Sequence, residues 1–220
     1  YRLLQAVSQY HGTLSWLPNF AYNFCAQKIR ERDIVEVDLS SWRAVSNCSE
    51  PMRWESHQQF YERFKSLGLR YEALATCYAM AENVFAVSQG GIDGPVQTLE
   101  VDAVTLINQR KLAPPEPGKP VQVLLSAGKP VQNTLVRILS EHHKPLAEDE
   151  IGEIALQSDC MLTGYYHRPD ATRASFHNGW LLTGDLGFLH QGEVYVIGRK
   201  KDLIIVGGKN IFPQDLENLA

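Results

Sequence analysis

Apolar and polar positions follow two regimes along the chain. In the first regime, Leu3, Leu4 and Val7 share one helical face and Gly12 supplies a stop signal. Residues 13–17 read as a strand closed by Pro18. Asn19 then reads as the N-cap of a helix carrying Phe20 and Phe24 at i, i+4 and ending near residues 30–33. Trp16 and Phe20 read as plain core. Residues 42–46 read as a buried strand and 47–51 as a turn. A helix follows from about Glu55, with Phe60, Phe64 and Leu67 on one face and Gly68 beyond its end. Residues 74–77 are another apolar strand. Helices alternating with short apolar strands predict a parallel α/β layer.

Beyond Gly94 the pattern changes. Short β-like runs at 121–126, 135–139, 153–157, 181–183 and 194–197 are separated by Gly, Pro and Asp, with no helix predicted between most of them. This predicts a small antiparallel, barrel-like sheet. The fold class is therefore α/β: a parallel layer over residues 1–93, a β-rich unit over 94–201, and a further unit beginning at 202–220. The stretch 98–121 stands apart. It opens with Leu99, Val101, Val104, Leu106 and Ile107 and closes with Pro114, Pro115, Pro117 and Pro120. An irregular connection that long is uncommon in a compact domain. It reads either as a surface excursion with a short strand or as a functional insertion.

Composition narrows the field. The 220 residues are 44% hydrophobic and 21% charged, with a net charge of −4. There is no basic stripe, which argues against nucleic acid as the main partner, and no apolar run of the ~18 residues a membrane span needs. Cys25, Cys48, Cys77 and Cys160 form no C-x-x-C pair, so they read as buried free thiols in a reducing, cytoplasmic setting. The chain starts without Met and stops at Ala220 inside a helix-like segment, so it reads as a fragment of a larger enzyme.

Chemistry concentrates near the end. An apolar strand runs into Thr183-Gly184-Asp185, Gln191-Gly192 is a hairpin turn, and the next strand ends at Gly198-Arg199. Closing that hairpin brings Asp185 near Arg199. A carboxylate that accepts from two hydroxyls beside a guanidinium that donates to the same oxygens suits a vicinal diol. On spacing alone the pair reads more readily as a surface salt bridge beside a β-turn.

The order of motifs around this pair resembles the adenylate-forming superfamily of acyl-CoA synthetases, luciferases and adenylation domains. The run from Trp180 to Asp185 resembles its ribose-binding motif, and Gly198-Arg199-Lys200-Lys201-Asp202-Leu203-Ile204 its hinge motif. The continuation from Gly208 to Glu217 is similar to the fatty acyl-AMP ligase branch. Tyr78-Ala79-Met80-Ala81-Glu82 resembles that branch's Tyr-Gly-Leu-Ala-Glu motif. The resemblance implies that Tyr78 offers an aromatic face to a purine and that Glu82 is a ligand for Mg²⁺. Without it, the two residues read as a core tyrosine and a solvated glutamate. Ala79 stands where the family has glycine, a substitution that strains the loop if that position needs positive φ. Asn47-Cys48-Ser49-Glu50-Pro51 resembles the adenine-wall loop Asn-Gly-Ala-Glu-Pro. Cys48 as a nucleophile lacks any partner histidine placed by a motif. Gly152-Glu153-Ile154 and Thr163-Gly164-Tyr165-Tyr166 read as structural strands of the family, and the glycine pairs at 90–91 and 207–208 are too short to be phosphate loops.

The resemblance implies an ATP- and Mg²⁺-dependent enzyme that activates a fatty or other carboxylic acid as an acyl-adenylate. The acyl group then passes to a carrier-protein or coenzyme A thiol. Asp185 and Arg199 would hold the ribose, Lys201 would be the hinge of a C-terminal lid, and the family's phosphate loop and catalytic lysine would lie outside these residues. The competing reading is a non-catalytic nucleotide-binding or interaction domain that keeps the fold. In the ligase branch an insertion follows the Tyr-x-x-Ala-Glu motif, which is where 98–121 lies. There it implies transfer to a carrier protein rather than to coenzyme A.

Overall fold

The computed structural model describes residues 1–92, 94–201, 204–206 and 209–211. Asp93, Asp202, Leu203, the Gly207-Gly208 pair and residues 212–220, which hold most of the ligase-like continuation, lie outside the described residues.

The first half is built from α1 (Arg2–Tyr10), β1 (Leu14–Pro18), α2 (Asn19–Lys28), β2 (Ala44–Cys48), α3 (Trp54–Phe64), β3 (Leu74–Ala79) and β4 (Ala86–Gly90). Strands β1, β2 and β3 are parallel neighbours, as the α/β pattern predicts. Strand β4 returns antiparallel to β3, because six residues cannot make the crossover that a parallel partner needs. The layer is therefore mixed rather than wholly parallel. Leu4, Val7, Tyr22, Trp42, Phe60 and Phe64 bury against one another beneath it. Each large apolar side chain so buried contributes about 1.5–3 kcal/mol.

Three local readings are corrected. His11, not Gly12, takes the left-handed residue that ends α1 (φ 50°). Pro18 completes β1, and Asn19 is the first residue of α2 rather than its cap. The Asn19 side chain turns inward instead and accepts from Asn47 Nδ2 and from the Arg53 amide. Trp16 and Phe20 are 49% and 62% exposed, so neither is core among the described residues. Trp16 meets Phe85 edge-on, with ring centroids 6.2 Å apart.

The second half holds β5 (Thr98–Asp102), α4 (Ala103–Gln109), β6 (Val121–Leu125), β7 (Lys129–Pro130), β8 (Thr134–Leu139), β9 (Gly152–Ser158), α5 (Pro169–Ala174), β10 (Phe176–His177), β11 (Trp180–His190) and β12 (Glu193–Arg199), then the short hairpin β13 (Ile204–Val206) and β14 (Lys209–Ile211). Strands β8, β9, β10, β11 and β12 form an antiparallel sheet curled into a half-barrel. Strand β7 instead extends the first sheet beside β4. The stretch 98–121 is more regular than its prolines suggest. Strands β5 and β6 pair along their full length, and α4 between them is N-capped by Asp102, whose carboxylate accepts from the Thr105 amide at 2.7 Å.

Candidate nucleotide site

Two hairpin residues set the centre of the site. Gln191 and Gly192 both take positive φ (52° and 75°), which fits the twist of a two-residue β-turn. That turn sets the register of β11 against β12 from His190 opposite Glu193 to Gly187 opposite Val196, and a one-residue register shift between Leu186 and Gly187 then puts Asp185 directly opposite Arg199. The Arg199 Nε lies 3.4 Å from Asp185 Oδ1.

A bulge aims Asp185. Leu182 pairs with Ala155 and Leu186 with Glu153, so β11 spends two residues more than β9 over the same span. Bulges next to binding sites re-aim side chains in this way. Gly184 takes the positive φ (75°) that the bulge needs. The amides released from the ladder are satisfied by side chains. Thr183 Oγ1 accepts from the Asp185 amide and donates to the Ile154 carbonyl, and Glu153 Oε1 accepts from the Gly184 amide at 3.1 Å.

The bulge swings Asp185 toward β3, where the Tyr78 hydroxyl donates to Asp185 Oδ2 at 2.6 Å. Both residues are buried. Burial pushes the Asp185 carboxyl above its ordinary value; Tyr78 and Arg199 oppose that shift and the nearby Glu82 charge adds to it. Burial and then the Asp185 charge drive the Tyr78 hydroxyl well above its usual range, so it stays a proton donor.

Ser49, Glu50, Pro51, Met52, Cys77, Tyr78, Ala79, Asp185 and Arg199 line a cleft of about 320 Å³ with Val196 and Gly198. Its opposite wall is held by α2. Glu50 Oε1 accepts from the Phe20 amide, an orphan donor of the α2 N-terminus, while Asn19 grips Asn47 and the Arg53 amide from the same helix. Ser49 turns the chain with φ 72°. Asn47 and Cys48 are buried behind this wall. Ala79 has no positive φ, so the strain expected of an alanine there is absent. Cys77 is buried and its thiol is pushed up to about 12, chiefly by burial, which leaves it inert as a nucleophile.

Met80, Ala81 and Glu82 follow β3 beyond this lining. Ala81, Glu82 and Asn83 form a 3₁₀ turn. Glu82 Oε1 accepts from the Tyr165 hydroxyl at 2.9 Å, and its carbonyl accepts from the Leu162 amide. Val84 then takes φ 62° and ψ −55°, a strained γ-turn closed by the Phe85 amide on the Asn83 carbonyl. Lys201 is exposed two residues beyond the end of β12.

Sequence reasoning missed Glu153 and Tyr165 as members of the site, and it placed Thr183 in the ribose motif without a role. A signal existed for Glu153: a charge inside an apolar strand run must find partners. Nothing comparable marked Tyr165. A second cavity of about 270 Å³ adjoins the cleft at Pro51, Met52 and Val196, and α4 and β6 form its far wall.

Residues 1–166 match the family described as AMP-binding enzyme. Over 98% of its length the chain is 36% identical to the medium-chain-fatty-acid–[acyl-carrier-protein] ligase JamA of Moorena producens, of which it covers 38%. It is 33% identical to the long-chain-fatty-acid–AMP ligase FadD32 of Mycobacterium marinum, covering 95% of this chain and 36% of that protein. Among solved structures it superposes on a fatty acyl-adenylate ligase from a study of the E. coli and L. pneumophila enzymes with a TM-score of 0.92 and 36% identity, covering 99% of this chain and 40% of that one. The L. pneumophila enzyme in complex with acyl adenylate and pyrophosphate gives a TM-score of 0.84 at 36% identity, covering 91% of this chain and 36% of that one. The chain thus spans less than half the length of the relatives it matches.

Proposed function

Because the chain belongs to the AMP-binding enzyme family, we propose that the full-length protein activates a carboxylic acid, in the first place a fatty acid, as an acyl-adenylate at the expense of ATP. The observation that carries this reading is the Tyr78–Asp185–Arg199 constellation at one end of a nucleotide-sized cleft. Asp185 accepts from the ribose hydroxyls, Arg199 donates to them, and Tyr78 fixes the carboxylate while its ring borders the base. Residues 49–52 close the adenine side, with Asn47 and Cys48 shaping that wall from behind. Ala79, Met80 and Ala81 carry the chain from the ribose end to Glu82. Lys201 is the hinge of a lid that begins within 202–220. In the same reading, residues through 93 form the α/β unit and 94–201 the β-rich unit.

Mg²⁺ fits one feature of the site. Among the described residues no group of three or more His, Cys, Asp or Glu could hold a metal by itself. Mg²⁺ is commonly held by one or two carboxylates plus substrate phosphates and water, and Glu82 supplies one such carboxylate, oriented by Tyr165. The ion would neutralise charge on the phosphates when bound. The chain's own contribution is alignment: it holds base and ribose so that the acid's oxygen meets the α-phosphorus in line as pyrophosphate leaves.

The acyl group then passes to a thiol, of a carrier protein or of coenzyme A. The regular β5–α4–β6 unit favours the carrier protein, since it packs beside the cleft where an insertion can restrain a lid. No described helix is long and apolar enough to cross a membrane. All four cysteines are free, Cys48 and Cys77 buried, Cys25 half-buried and Cys160, against expectation, exposed; such thiols favour a reducing compartment, and on that ground we place the enzyme in the cytoplasm. The test is pyrophosphate release by the full-length protein with ATP, Mg²⁺ and a panel of fatty acids. Nucleotide binding without pyrophosphate on any acid would favour a non-catalytic domain and overturn the proposal.

A further inference from the structure

The carboxylate of Glu153 does two things at once. Its Oε1 accepts from the Gly184 amide at 3.1 Å, inside the bulge that aims Asp185. Its Oε2 meets Lys200 Nζ at 3.2 Å, and the Lys200 amide in turn donates to the Gly184 carbonyl at 2.8 Å. Both backbone groups of Gly184 are therefore held, one by Glu153 and one by the residue that Glu153 anchors. Glu153 lies in β9, between β8 and β11, and its side chain is only 10% exposed. A carboxylate at that depth is costly unless its oxygens are matched, and both are. Gly184 has no ladder partner on β9 because the register breaks across residues 182–186. Without Glu153 its amide is left unsatisfied and the bulge loses its fixed shape.

We propose that Glu153 is a positioning residue for nucleotide binding: it holds the Thr183-Gly184-Asp185 bulge in the shape that presents Asp185, and it ties that bulge to Lys200 at the start of the hinge segment. This deepens the functional reading above and rests on it. The two oxygens make different demands. The Gly184 arm needs an acceptor at the right reach and no charge. The Lys200 arm uses the charge but ends on a half-exposed lysine, where an ion pair contributes little. Reach should therefore matter more than charge.

The experiment uses the full-length protein and AMP as the probe, titrated calorimetrically, with thermal unfolding of each variant alongside. Glu153→Gln keeps an acceptor at the same reach and should leave AMP affinity within about threefold of wild type. Glu153→Ala, and Glu153→Asp with its shorter arm, should each weaken AMP by about tenfold or more, because the part-buried Gly184 amide is left without an acceptor at the bulge. Combining Glu153→Ala with Asp185→Ala should add almost nothing to the loss from Asp185→Ala alone, since Glu153 acts through Asp185. A purely structural role would give additive losses in that cycle. It would also make Glu153→Gln as harmful as Glu153→Asp. If Glu153→Ala does not fold, the Gln and Asp variants carry the same contrast. Equal affinities for wild type, Gln and Asp variants, or full additivity with Asp185→Ala, would overturn the clamp while leaving the nucleotide site intact. A wild-type protein that binds no AMP would overturn the functional reading beneath it.

Discussion

Tyr78→Phe isolates the hydroxyl from the ring. The phenyl ring keeps its place in the second core, beside Val87, Ile154 and Leu181, and only the 2.6 Å bond to Asp185 is removed. Tyr78 is 8% exposed and Asp185 9%, so water does not readily replace the lost donor. A hydrogen bond to a charged group contributes about 1.5–3 kcal/mol net, and each 1.4 kcal/mol is a factor of about ten in affinity. AMP should therefore bind about ten- to a hundredfold more weakly to the variant at neutral pH. The pH dependence sharpens the test. Ribose binding needs the ionised carboxylate. The Asp185 carboxyl is already raised by burial, so affinity should fall as pH drops through a value above the ordinary Asp range. Tyr78 opposes that rise, so its removal should start the fall at a higher pH. The stability sign runs the other way. A raised folded-state pKa means the fold prefers the protonated carboxyl, so this group costs stability as pH rises through it, and Tyr78→Phe extends that cost upward. Titration calorimetry with AMP between about pH 5 and 8, beside urea unfolding, reads both effects. Unchanged affinity, or an unshifted acid limb, would refute the role given to the hydroxyl.

Three further outcomes are expected. His57 is fully buried against Tyr22, rings 5.0 Å apart, and burial pushes its pKa down from 6.5 to about 3. Above the unfolded value it adds no pH dependence. Below pH 6.5 the unfolded chain takes up a proton that the fold refuses, so stability should fall by up to about 1.4 kcal/mol per pH unit toward pH 3. His57→Phe should flatten that slope in urea unfolding, and an unchanged slope would contradict it. Val84 sits exposed in its γ-turn with φ 62°, so Val84→Gly should raise the melting temperature by relieving about 1 kcal/mol of strain; a lower one would argue against strain. With ATP, a fatty acid and coenzyme A, the full-length enzyme should accumulate acyl-adenylate and little acyl-CoA by mass spectrometry, and rapid conversion to acyl-CoA would overturn the carrier-protein reading.

Local signals carried the fold where period and punctuation agreed. Phe60, Phe64 and Gly68 marked α3 and its end, and Gln191-Gly192 marked the hairpin, because each feature is set within a few residues. The sequence hid what tertiary contacts decide. Asn19 looks like a cap, yet its partners are Asn47 and Arg53, which lie far along the chain. Helix α4 escaped notice because it is short and is followed by prolines, although Asp102 was a legible cap. Asp185 and Arg199 were legible as a pair because one hairpin joins them. The bond from Tyr78 to Asp185 was not, because it spans two sheets and depends on a two-residue bulge. Tyr165 could not be assigned to Glu82 for the same reason: a turn residue carries no periodic signal for the side chain it will meet.

The most direct test of the nucleotide site is discrimination of the ribose diol. Titration of the full-length protein with AMP and with 2′,3′-dideoxy-AMP compares ligands that differ only in the hydroxyls assigned to Asp185 and Arg199. Wild type should prefer AMP by about a hundredfold, from two charge-assisted hydrogen bonds less the contribution of replacing water. Asp185→Ala should bring the two ligands to within a few-fold of each other. Equal affinity of wild type for both ligands would contradict the placement of the ribose at Asp185.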